Sequence, residues 1–260
     1  MKDFEGSFRR YFEEFFKVVS SKKGDWTVKG FIDIYQNIYT ISVDTKVVSK
    51  IMELMLFPVI QRFANEHKLK MVLCEEQNHY PDITFVTTDN KRIALDLKST
   101  YRVSSDEVNG MTLGAFTGYF RNRQSNKNVT FPYSQYEKHY VLGIIYTRQE
   151  KGLDERKIYR FEELKNILSV VKDFKFFLQE KYKIASDRTG SGNTKNIGSV
   201  TKMEELCEGK GVFADLSIEV FDDYWMNFLT KDMARAIDTE PRYHNFKTYL
   251  NYRKKLRKKK

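Results

Sequence analysis

Near the start of the chain, Phe8, Tyr11, Phe12, Phe15, Phe16 and Val19 recur at helical spacing, while Arg9, Arg10, Glu13 and Glu14 fall on the opposite face. This period predicts one amphipathic helix of about three turns, ended by Gly24-Asp25. From Trp26 to Ile41 the residues are β-branched and aromatic, broken at Gln36-Asn37, which predicts a hairpin. Asp44 reads as a helix N-cap. After it Val47, Val48, Ile51, Leu54 and Met55 share a helical face, with Pro58 inside that helix or at a break in it.

A second pattern follows. Met71 to Cys74 is a short apolar strand, and the polar run from Glu75 to Tyr80 is a loop. Pro81 opens a strand from Asp82 to Thr87, which turns at Asp89-Asn90 and returns as Arg92 to Lys98. On the return strand Ile93, Leu95 and Leu97 take one face, and Ala94, Asp96 and Lys98 the other. Tyr140 to Tyr146 is almost wholly apolar, as in a strand buried on both faces, and Phe174 to Leu178 is a further strand candidate. The stretch from Ser186 to Ser199 is rich in Gly, Ser, Asn and Thr and reads as an exposed loop; from Asp223 onward the chain reads as helical. Mixed strands and helices give an α/β or α+β class.

Composition narrows the class. The chain has 260 residues, 41% of them hydrophobic and 31% charged, which suits one globular domain and excludes a disordered or collagen-like chain. A domain of this size buries roughly three-quarters of its unfolded surface, so it needs no disulfide staples. Cys74 and Cys207 have no partner at metal-ligand spacing, and the longest apolar run, Val141 to Tyr146, is too short to span a bilayer. These features lead to the expectation of a cytoplasmic protein with no membrane segment. The net charge of +10 suggests a polyanionic partner, but seven positive charges lie between Arg253 and Lys260, and without them the excess falls to +3. That basic tail reads either as a frayed, solvated end or as a loose phosphate clamp.

The chemistry sits on the central hairpin. Antiparallel pairing through the Asp89-Asn90 turn can bring Asp82 beside Asp96, with Lys98 two residues further along the same face. Two close carboxylates repel, and a divalent cation removes that conflict. Mg²⁺ takes oxygen ligands and polarises a phosphate, and a nearby lysine offsets the charge that develops. Either dipeptide alone is common surface decoration; the joint pattern points to phosphodiester hydrolysis.

Pro81-Asp82 followed by Asp96-Leu97-Lys98 resembles the PD-(D/E)XK nuclease signature. The segments from Gln77 to Asp82 and from Gly190 to Thr194 (Gly-Ser-Gly-Asn-Thr) carry the likeness further. So do Asp44 to Val47, Thr112-Leu113-Gly114, Tyr146-Thr147-Arg148, Asn196 to Ser199 and Glu208 to Gly211. Together they resemble the EcoRV-like type II restriction endonucleases, in order from about Asp44 to Trp225. The resemblance implies a restriction-endonuclease-like fold, with a central mixed sheet flanked by helices and a small N-terminal dimerisation hairpin at 24–43. It implies a homodimer that cuts double-stranded DNA with Mg²⁺. Asp82 and Asp96 would hold the metal with Glu53 near it, although Glu53 alone reads as a solvated helix charge, and Lys98 would assist the attacking water.

The same resemblance makes Gly190, Ser191, Gly192, Asn193 and Thr194 a major-groove reader, with Asn196 at its foot, within the segment 186–199. Glycines allow close backbone approach, Asn can bond adenine twice, and a Thr methyl can meet a thymine methyl. Neither of the glycine-rich phosphate-cradling patterns can be laid on this loop. Gln77 and Asn78, in the segment 75–82, would face the minor groove. Thr45, Lys46, Ser49, Thr112 and Lys127 match positions that touch the DNA backbone and position the duplex. The reading loop implies the palindrome GATATC, cut blunt at its centre. The chain departs from the pattern before Asp44, at Ser99 and Gly118, and beyond Trp225. Two other readings stand beside this one: a catalytically silent sequence-specific DNA-binding protein of the same fold, and a structure-specific nuclease of repair or recombination.

Overall fold

The computed structural model describes residues 3–74, 76, 79–149, 154–190 and 195–257. The chain begins with α1 (Phe4–Arg9) and α2 (Phe12–Val19), continues through β1 (Gly30–Ile32) and β2 (Ile38–Thr40), and enters the long helix α3 (Thr45–Glu66). Next come β3 (Lys70–Leu73), β4 (Ile83–Val86), β5 (Arg92–Tyr101) and β6 (Thr112–Ala115), then β7 (Tyr136–Arg148), β8 (Ile158–Tyr159) and β9 (Val171–Glu180). After α4 (Lys181–Ile184), β10 (Ala185–Thr189) and β11 (Asn196–Ser199) form a hairpin. Helices α5 (Met203–Glu208), α6 (Ile218–Asn227), α7 (Lys231–Arg235) and α8 (Phe246–Arg257) follow.

The central sheet has the order β3-β4-β5-β7-β9 and is mixed: β5 and β7 run parallel, and the other neighbours run antiparallel. Its pleat divides two cores. Ile83, Phe85, Ile93, Leu95, Leu142, Ile144, Phe176 and Leu178 pack with α1, α2 and α3 on one face. Ala94, Val141, Ile145 and Phe177 pack on the other against β6, β11, α5 and α6. Strands covered on both faces read as nearly continuous apolar runs, which is why Tyr140–Tyr146 was legible. Two small sheets complete the fold, β1-β2-β8 and β10-β11-β6.

Three local expectations need correction, and one open reading is decided. The first amphipathic stretch is two helices, not one, and helix ends at Val19 rather than at Gly24. Tyr11 leaves helical register, buries its ring edge-on against Phe63 at 5.3 Å and donates its hydroxyl to Glu66. Pro58 lies inside α3, the first of the two readings its position allowed. Both it and Leu54, whose carbonyl loses its partner, are exposed, so water can satisfy that carbonyl while the buried face from Val48 to Phe63 holds the helix together. The stretch 186–199 is not wholly loop, because strands flank its middle. The chain end is helical as far as Arg257, where a frayed tail was one reading. Arg253 lies 3.4 Å from Asp223, and the Tyr249 hydroxyl donates to the same carboxylate at 2.5 Å.

Asp44 caps α3 as expected, accepting from Lys46 N at 2.9 Å and Val47 N at 3.2 Å. At the sheet centre Gly143 pairs with Phe177, whose ring occupies the space a side chain would need. Gly143→Ala is therefore expected to destabilise the fold by about 1–3 kcal/mol through overpacking. Denaturant unfolding of Gly143→Ala and of Gly143→Ala with Phe177→Leu checks this; the second change should recover part of the loss.

Candidate active site

The register that pairs Ile83 with Leu95 puts Asp82 opposite Asp96, one step beyond the end of β4. Asp82 is tied down on both sides. Its carbonyl accepts from Cys74 N at 3.1 Å, and its Oδ2 accepts from Leu97 N at 2.6 Å. The carboxylate thus takes a β5 amide that the strand pairing leaves over. Asp96 lies on the same face of β5 as Lys98, whose Nζ is 2.6 Å from Asp96 Oδ2. The Asp96 side chain is only 6% exposed. Its Oδ2 faces that ammonium and has no other partner among the described residues.

The electrostatics follow from this crowding. Burial, then the charge of Asp96, pushes the Asp82 carboxyl up to about 7, against the opposing pull of Lys98 and the Leu97 N–H. Burial alone would lower Lys98, but Asp96 and Asp82 outweigh it and hold the ammonium above its ordinary value. Glu53, on α3, pairs with Lys50 at 2.7 Å, and its charge adds to the upward push on Asp82. Among the described residues no three acidic, His or Cys side chains gather closely enough to enclose a metal ion. Two converging carboxylates, one with a buried oxygen met only by the Lys98 ammonium, nevertheless fit a hard divalent cation that keeps several waters.

Behind this pair lies a cluster that the sequence did not reveal. The Tyr80 hydroxyl and His139 Nδ1 are 2.8 Å apart, and the His139 ring stacks on Tyr133 at 4.1 Å. Burial, reinforced by Lys181 and Arg123, holds His139 well below its ordinary value, so the ring is neutral. Lys181 is buried beside them, and burial pushes it down to about 8. Only the alternation along β7, which turns His139 to the face shared with Val141, could have hinted at this cluster.

Thr45 and Lys46 are exposed at the start of α3, and Ser49 one turn on bonds the Ser99 hydroxyl at 2.5 Å. Lys127 is exposed, its N–H donating to Ser125 Oγ at 3.1 Å. Thr112 on β6 pairs with Gly198 and packs on Gly190, where an added Cβ would lie 2.7 Å from Thr112 Cγ2. Asn196 accepts from Gly190 N at 3.0 Å and so closes the foot of the β10–β11 hairpin. Gln77, Asn78, Ser191, Gly192, Asn193 and Thr194 lie outside the described residues. Cys74 and Cys207 are free thiols. No helix among the described residues is long and apolar enough to cross a membrane.

A mixed sheet on which two carboxylates and an ammonium converge at adjoining strands can present a divalent cation and a positive charge to a phosphodiester, the arrangement of a metal-dependent nuclease site. Comparison with known proteins makes this specific. The family model described as "Restriction endonuclease EcoRV" matches residues 22–254. The "Type II restriction enzyme EcoRV" of Escherichia coli is 38% identical over 230 residues, covering 87% of this chain and 91% of that enzyme. The chain belongs to the EcoRV restriction endonuclease family and is a type II restriction enzyme, a deoxyribonuclease that acts on duplex DNA.

The neutral His139 gives the fold a distinct acid response. Below about pH 6.5 the unfolded imidazole takes up a proton that the buried ring refuses, so stability falls as pH falls. Unfolding measured from pH 7.5 down to pH 5.5 should show His139→Gln losing stability less steeply than the parent. The difference should approach one proton, about 1.4 kcal/mol per pH unit.

Proposed function

We propose that the protein is a Mg²⁺-dependent endonuclease that acts as a homodimer and cuts both strands of GATATC bluntly at its centre. The observation that carries the proposed chemistry is the convergence of Asp82, Asp96 and Lys98 at the end of the β4–β5 pairing. Asp82 and Asp96 would hold the cation, with Glu53 beside them. When bound, the cation supplies positive charge to the phosphate and makes water a better nucleophile at neutral pH. The Asp82 carboxylate keeps its orientation through the Leu97 N–H. The Lys98 ammonium, a donor only, offsets charge on the phosphate oxygens. The reading of GATATC rests on the Gly190 to Thr194 segment, which resembles the family's pattern residue for residue.

A palindrome cut on both strands needs two such sites related by a two-fold axis. The small sheet β1-β2-β8 supports that reading. Phe31, Ile32, Ile34 and Tyr35 cluster around its first hairpin, with Ile34 88% and Tyr35 74% exposed, and Ile158 and Phe161 are exposed beside β2. So many exposed apolar side chains on one small sheet and its turn fit a subunit contact better than a free surface.

Incubation of the chain with a long duplex of known sequence, in Mg²⁺ or in EDTA, followed by end sequencing, tests the reading directly. Discrete blunt ends at one palindrome only with Mg²⁺ are expected; binding without cleavage would leave the silent DNA-binding module. Lys98→Ala should slow cleavage by about 10²–10³-fold, and Asp96→Ala at least as much, with binding in EDTA retained. An undiminished rate in either variant overturns the assigned site. Replacing Ile34 and Tyr35 by Asp should yield a monomer by light scattering and abolish double-strand cutting.

A further inference from the structure

The sheet face that carries Asp96 also carries the ammonium of Lys181, which the proposed cleavage chemistry does not use. Ala94 pairs with His139 and Tyr140 with Glu180, so Lys181 follows directly on the β9 row beside His139. The residue is 2% exposed. Its Nζ lies 4.6 Å from the centroid of the Tyr80 ring, 5.0 Å from Tyr133 and 5.8 Å from Phe120, and donates to the Tyr80 hydroxyl at 3.5 Å. Among the described residues no carboxylate stands within ion-pair distance of it.

A buried charge without an ion partner is costly, and ring faces return only part of that cost. A methionine would fill the same slot more cheaply, so packing alone gives no reason for a lysine. The surrounding charges narrow its role. Asp222 is already engaged by Arg123 at 2.7 Å, and His139 is neutral. Asp82 and Asp96, by contrast, are two carboxylates served by one ammonium, that of Lys98. Asp96 also acts electrostatically on Lys181. Tyr80 is the mechanical link, because it stands two residues before Asp82. The Lys181 ammonium packs on the Tyr80 ring, which also stacks on Tyr119 (5.4 Å, 11°), and the Tyr80 backbone is pinned by Asn128 O at 3.1 Å and Thr130 N at 2.9 Å.

We propose that Lys181 is a positioning residue for DNA cleavage: its ammonium clamps the Tyr80 ring and, through Tyr80-Pro81-Asp82, holds the Asp82 carboxylate against the Leu97 N–H. This rests on the reading of Asp82 and Asp96 as the cleavage site. The charge, not the stem, carries the effect, because the ring faces and the Tyr80 hydroxyl both attract a cation and a thioether replaces neither interaction.

Lys181→Met, Lys181→Arg and Tyr80→Phe test it, with Asp96→Ala as the reference for the underlying site. Three quantities are measured: thermal unfolding, duplex affinity in EDTA, and the single-turnover cleavage constant in Mg²⁺ at saturating enzyme. The duplex carries the palindrome found by end sequencing. Lys181→Met should bind DNA within about twofold of the parent and cut about 100-fold more slowly, the scale of a small misplacement at a reacting centre. Lys181→Arg should recover most of that rate. Tyr80→Phe should slow cleavage several-fold with binding unchanged, and the double variant should be no slower than Lys181→Met alone, since both act through one link.

A parent-like rate in Lys181→Met overturns the proposal. So does an arginine variant as slow as the methionine one, or a loss of rate matched by an equal loss of affinity. If Lys181→Met does not fold, Tyr80→Phe decides, and a parent-like rate there rejects the clamp. Normal cutting by Asp96→Ala would instead reject the site itself.

Discussion

The pairing of Ile83 with Leu95 is the constraint on which the rest of the molecule depends. It lies in a sheet covered on both faces, so the apolar side chains of β5 are committed to one core or the other: Ile93 and Leu95 to the first, Ala94 to the second. A slip of one residue would turn Asp96 and Lys98 into the aromatic cluster of Phe63 and Phe85, and would send Ile93 and Leu95 to the opposite face. The cost of burying an ion pair in that cluster, added to the loss of two aliphatic residues from it, leaves one register accessible. In that register Asp82 lies opposite Asp96, and the leftover amide of Leu97 receives the Asp82 carboxylate. The geometry of the site is thus a by-product of the register that the hydrophobic cores impose.

The second of these cores sets the distance between strands β4 and β5 and the β10–β11 hairpin. Tyr80 and Ala94, next to the carboxylates, share one cluster with Leu113 of β6 and Ile197 of β11. Close packing of that cluster fixes how far the hairpin stands from Asp82 and Asp96. The hairpin is braced at its base as well: Asp187 accepts from Phe246 N at 2.9 Å through its carboxylate and from the Tyr224 hydroxyl at 2.7 Å through its carbonyl. The C-terminal helix is thereby part of the support for the segment that resembles a major-groove reader.

Charge is concentrated here at the expense of stability. Asp82 and Asp96 repel each other, Lys98 answers one of them, and Lys181 and His139 are buried behind with rings rather than carboxylates for company. Such an arrangement survives because the surrounding packing over-determines it. Tyr80, Tyr119 and Tyr133 form a stacked wall, and Arg123 and Asp222 close its outer side.

Patterns that depend on neighbouring residues were legible in the chain itself. The alternation of β5, the Asp44 cap, the apolar run of β7 and the fourteen-residue step from Asp82 to Asp96 are all local or span one tight turn, so side-chain period and turn chemistry suffice to read them. The family motifs, from Gln77 to Asp82 and from Gly190 to Thr194, were legible for the same reason. Other features were decided by parts of the chain far apart in sequence. The break between α1 and α2 follows from the pull of Phe63 and Glu66 on Tyr11, and the continuity of α3 through Pro58 from the core beneath it. Strand β11, just after the segment from Gly190 to Thr194, pairs with an edge supplied by β6 some eighty residues earlier, and β10 pairs in turn on β11. The Lys181–Tyr80–His139 cluster joins Tyr80 to residues 59 and 101 positions further along the chain. No local periodicity records which rings will surround a buried ammonium, because only the folded sheet brings those rows side by side.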